Sequence, residues 1–65
     1  SVTGFAGMMR FDCARPQTNC RVYDITGRQV MHIGRIDRDM DVEMPLGIYF
    51  VITDQHGTPI KVTIR

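Results

Sequence analysis

The chain has 65 residues, 43% apolar and 23% charged, with eight cations against seven anions. That length bounds it to a single domain, 1–65. At this size folding hides only about 60% of the unfolded surface, which leaves little material for a deep catalytic cleft. A net charge of +1 provides no electrostatic footprint for nucleic acid and no polybasic membrane patch. No apolar run approaches the ~20 residues that span a bilayer, and the first residues do not read as a charged-then-apolar leader. The chain opens on Ser1 and not on methionine, so it is expected to be a piece of something larger, cut out by a protease or by an experimenter.

Residues 1–7 place Gly4 and Gly7 around Phe5 and read as a flexible lead-in with at most a short first strand. Met8 to Ala14 alternates, with Met9, Phe11 and Cys13 on one face and Arg10 and Asp12 on the other, which predicts a half-buried strand. Residues 15–19, Arg-Pro-Gln-Thr-Asn, form a connection, since Pro16 lacks a donor and Asn19 favours turns. Cys20 to Ile25 is a second strand. Thr26-Gly27 predicts a hairpin turn with Gly27 at positive φ, and Arg28 to Ile33 returns as a third strand. Gly34 to Arg38 reads as a loop. In Asp39 to Met44, the apolar Met40, Val42 and Met44 alternate with Asp39, Asp41 and Glu43.

Pro45 and Gly47 then predict a turn into Ile48–Thr53, the most β-prone run of the chain. Ile48, Phe50 and Ile52 lie on one side of it, Tyr49 and Val51 on the other. Apolar character on both faces predicts a central strand covered on each side. Asp54 to Gly57 is a turn, Pro59 marks a strand start or edge, and Ile60, Val62 and Ile64 alternate with Lys61, Thr63 and Arg65. No window carries a 3.6-residue period. Six or seven short strands at this spacing predict an all-β sandwich or small barrel, mostly antiparallel; of the two, an Ig-like sandwich is preferred because the central run needs two covered faces.

The chemistry on offer is sparse. Cys13 and Cys20 flank a predicted loop, and two readings stay open. One is a disulfide worth roughly 2–3 kcal/mol in the chain-entropy model, which would imply an oxidising compartment; the other is two independent buried thiols. Cys13, Cys20, His32 and His56 lack the close ligand pairs of a zinc site. Asp37, Asp39, Asp41 and Glu43 lack the glycine turn of a calcium loop, and read instead as the solvated face of a strand. No catalytic residue, metal site or cofactor is assigned. Ser1, the only serine, sits at the terminus, and neither histidine has an evident orienting carboxylate.

The order of segments carries more. Val22-Tyr23-Asp24-Ile25-Thr26-Gly27-Arg28-Gln29-Val30, then Leu46-Gly47-Ile48-Tyr49-Phe50-Val51, then Gly57 and Lys61-Val62-Thr63-Ile64-Arg65 resemble the C-terminal sorting domain (type A) of proteins exported by the bacterial type IX secretion system. The resemblance spans about Met8 to Arg65. It implies a non-catalytic secretion signal that passes through the periplasm with its cargo. Such a signal is read by translocon components and is usually removed by a C-terminal signal peptidase, leaving the cargo at the outer membrane surface or outside the cell. The recognition residues it implies are Gly27, Gly47, Ile48, Tyr49, Val51, Lys61, Val62 and Arg65, with no nucleic acid and no small-molecule substrate. The alternative is an Ig-like accessory module of a surface enzyme or adhesin, binding carbohydrate or protein or acting as a spacer.

Overall fold

A computed structural model describes residues 1–65. Seven strands run in chain order: β1 (Val2–Phe5), β2 (Met8–Phe11), β3 (Gln17–Asp24), β4 (Gln29–Ile36), β5 (Met40–Glu43), β6 (Gly47–Thr53) and β7 (His56–Ile64). They form a three-stranded sheet in the order β1-β2-β5 and a four-stranded sheet in the order β4-β3-β6-β7. Every pairing is antiparallel. The expected all-β two-sheet architecture is therefore the observed one.

The period-2 pattern explains which side chains fill the space between the sheets. Met9 and Phe11 of β2 come from one sheet, and Cys20, Val22, Tyr49, Val51, Val62 and Ile64 from the other, with Ile36 and Met44 completing a single core cluster. Met9, Cys20, Val22 and Val51 are fully buried, and each large apolar side chain so placed contributes about 1.5–3 kcal/mol. The one buried polar residue is Thr53. Its hydroxyl donates to Gln17 Oε1 at 2.8 Å and accepts from the His56 amide at 3.1 Å.

Several expectations change. Gln17, Thr18 and Asn19, read as part of a connection, already belong to β3, and His56 and Gly57, read as part of a turn, belong to β7. Residues 1–7 are not a loose lead-in: β1 pairs with β2 from Val2↔Phe11 to Phe5↔Met8, and the terminal amine donates to the Asp12 carbonyl at 2.7 Å. Strand β4 does not stop at Ile33. The ladder passes Gly34 to Thr18↔Arg35 and Gln17↔Ile36, because Ile36, 2% exposed, supplies an apolar anchor beyond the glycine. Four residues, Ile25, Thr26, Gly27 and Arg28, connect β3 to β4, closed by the Asp24 amide donating to the Arg28 carbonyl at 2.9 Å. Only Gly27 among them has positive φ, +88°, which excludes a two-residue turn needing positive φ at Thr26 as well. Finally, β6 is central in its sheet but covered on one face alone. Tyr49, Val51 and Thr53 are buried, whereas Ile48, Phe50 and Ile52 are half-buried on the outer face.

Candidate recognition surface

The three segments that carry the family resemblance fall into one sheet. Val22–Val30 is the β3–β4 hairpin, Gly47–Val51 opens β6, and Lys61–Arg65 ends at the close of β7. At the hairpin tip, Asp24 Oδ1 accepts from the Thr26 hydroxyl at 2.6 Å, the Thr26 amide at 2.9 Å and the Arg28 amide at 3.1 Å. The Thr26 hydroxyl bond, reinforced by the Arg28 and Thr26 amides and the Arg28 charge, holds the Asp24 carboxyl below its ordinary range. The tip is therefore a charge-stapled loop with Ile25 projecting, 70% exposed.

The turn into β6 is fastened by Tyr49, whose buried ring ends in a hydroxyl that donates to the Pro45 carbonyl at 2.8 Å. The tyrosine thus combines an apolar body with a satisfied polar tip. Gly47, between them, has φ +154°, a region that disfavours any side chain. Val51 and Val62 lie inside the core, so they can shape a recognition surface only by holding its backbone. Ile48, Lys61 and the Arg65 side chain face outward.

The two sheets meet unequally along their sides. At one side β1 closes on β7: the Gly7 amide donates to the Arg65 carbonyl at 2.8 Å, and a Cβ built on Gly4 would lie 2.1 Å from the Thr63 carbonyl oxygen. A side chain at position 4 would therefore force the β7 backbone to shift. On the other side β4 and β5 are edge strands without a further neighbour. They flank a depression lined by Val30 and Met31 on one side and Glu43 and Met44 on the other. The terminal strand is therefore partly sheltered, and β4 offers the longer open edge.

The remaining candidates resolve into structural roles. Both thiols are free; Cys20 is fully buried, and Cys13 packs half-buried against the same core. Burial, with a smaller push from neighbouring Cys13, raises the Cys20 thiol to about 11. Arg10 holds the acidic strand face together, reaching Asp12 at 3.0 Å, Asp41 at 3.1 Å and Asp39 at 3.9 Å. The Asp12 hydrogen bond and the Asp41 charge in turn raise the Arg10 pKa. Those carboxylates face a guanidinium, and no group of three or more His, Cys, Asp and Glu is placed to hold a metal ion. His32 Nε2 lies 2.8 Å from Asn19 Oδ1 on the outer face, and His56 Nδ1 lies 2.9 Å from the Thr58 carbonyl.

Two features escaped sequence reasoning. The β1–β2 turn is Ala6-Gly7, both at positive φ, +48° and +72°; alanine there carries no turn signal. Asn19 adopts φ +54° inside β3 and ties that strand to the β6–β7 turn, donating through Nδ2 to Asp54 Oδ1 at 3.2 Å. Its residue type was the available hint, since asparagine tolerates this conformation.

The architecture and surface define a small two-sheet β domain whose exposed features are edges and faces, with the depressions between them lined by mixed side chains. No protein-family model, curated protein or solved structure matches the chain.

Proposed function

We propose that this chain is a folded, non-catalytic secretion signal of the type IX sorting class, read by partner proteins of a bacterial outer-membrane translocon and then removed by a signal peptidase. The observation that carries the reading is the convergence of its three motif segments. The hairpin Val22–Val30, the Gly47–Val51 strand and the Lys61–Arg65 terminus occupy the same four-stranded sheet. A single partner could therefore read them together. Recognition through an open strand edge supplies unpaired backbone donors and acceptors. Of the two edges of that sheet, β4 is the less obstructed.

The test fuses residues 1–65 to a reporter in a host with the secretion system. Lys61→Glu combined with Arg65→Glu alters two exposed side chains and leaves the core intact. The expected result is a reporter exported with the native tag and held in the periplasm at least tenfold more with the double variant. Equal export with both, or none with either, overturns the reading. The half-exposed aromatic face around Tyr23 and Phe50 favours a second reading, an accessory binding module, for which neither tag would direct export.

A further inference from the structure

The outer face of the four-stranded sheet is more apolar than the outward positions of β5. On β5, Met40 and Val42 turn inward and Asp41 and Glu43 turn to solvent. The chain thus places charge on an open face where it can. On β6 the outward positions are Ile48, Phe50 and Ile52, each half-buried with no second layer above. Register extends the patch across the sheet: Tyr23 stands opposite Phe50, and Phe50 opposite Lys61. Arg21 stands opposite Ile52, completing a surface of two aromatics and two isoleucines rimmed by two cations.

We propose that this face is a docking surface for a protein segment that presents apolar side chains flanked by carboxylates. Charge decides the occupant. Arg21 shares Asp54 at 3.6 Å, while Lys61 forms no ion pair, so the rim is left with uncompensated positive charge. A second copy placed face to face would set Arg21 and Lys61 against their own kind. A single-stranded nucleic acid needs several phosphates neutralised, and this rim has one free cation. An anionic membrane calls for several cations at the rim, and this rim has one that is unpaired. An acidic, apolar protein segment satisfies both the rim and the floor. Extents of 27 and 23 Å limit one face to roughly 600 Å², below the ~800 Å² per partner of a tight complex.

The proposal stands apart from the secretion reading: failed export leaves it intact, and its failure leaves export intact. The experiment titrates the ¹⁵N-labelled chain with a glutamate–tyrosine copolymer, with polyglutamate, phosphatidylglycerol vesicles and oligothymidylate in parallel. Amide shifts are expected to concentrate at Arg21–Tyr23, Ile48–Ile52 and Lys61–Thr63, in the copolymer arm above the others. Phe50→Ser and Lys61→Glu should each weaken binding about tenfold while keeping a dispersed spectrum; Lys61→Glu, at an exposed site, covers the case in which Phe50→Ser unfolds. Shifts centred elsewhere, undiminished binding by Lys61→Glu, tighter binding of any parallel probe, or self-association through this face would each overturn it.

Discussion

Asp24 and Gly27 show how far a single position can be read from residue type. Asp24 is a residue type that bonds local backbone donors, and it accepts from the Thr26 and Arg28 amides; Gly27 was expected to take positive φ, and does. Tyr49 likewise needed a partner for its hydroxyl and has the Pro45 carbonyl. Cys20 was less legible, because burial depends on what the opposite sheet brings. Its thiol, raised from 9.0 to about 11, has a definite consequence for pH. The unfolded chain ionises this thiol first, so the neutral buried form stabilises the fold fully below about pH 9. That contribution is lost as pH rises through about 11, and amounts to about 2–3 kcal/mol. Urea titrations at pH 8 and pH 11 should show that loss in the native chain, and Cys20→Val should remove most of the difference.

Among the elements, alternation located β5 and β6 within one residue and β2 and β7 within about three, because each has a dry side and a wet side. It failed where apolar spacing was interrupted. Gly34 looked like a strand end, yet the ladder crosses it to reach Ile36. The run Ile48–Thr53 looked doubly covered, yet one of its faces meets solvent, since periodicity reports apolar character without saying what supplies the cover. A short first strand was allowed for but its turn into β2 was missed, because Ala6 occupies a left-handed position at φ +48° that costs an alanine about 1–2 kcal/mol. Ala6→Asn is therefore expected to stabilise the chain by about 0.5–1 kcal/mol, raising Tm by roughly 2–8 °C. A thermal melt followed by circular dichroism checks it; an unchanged or lower Tm would refute the strain assigned to this turn.

At the scale of the molecule, fold class was legible from strand count and the missing helical period, whereas the closure of the two sheets was not. That closure depends on Gly4 reaching the Thr63 backbone, a contact between residues 59 positions apart that no local pattern announces. A methyl group at position 4 would collide with a carbonyl oxygen held in β7, which cannot rotate away as a side chain would. Gly4→Ala is expected to cost about 1–3 kcal/mol as an overpacking substitution. For a domain of this size that is a large share of the total. Denaturant midpoints of Gly4→Ala and Gly7→Ala separate the two causes, since a Cβ at position 7 meets nothing within 4 Å and strains only its φ of +72°. Equal, negligible losses would show that β1 does not seat against β7.

The seam between β1 and β7 also sets an order of events in time. The opening strand can find its final place only after Thr63 and Arg65 exist to receive Gly4 and Gly7. A ribosome adding about 5–20 residues per second keeps the first residues waiting for several seconds. During that interval Val2, Met9 and Phe11 belong to a nascent chain without its closing partner. Until β7 is in place the domain stays open along this seam, and the strand that carries Gly4 has no surface to seat against.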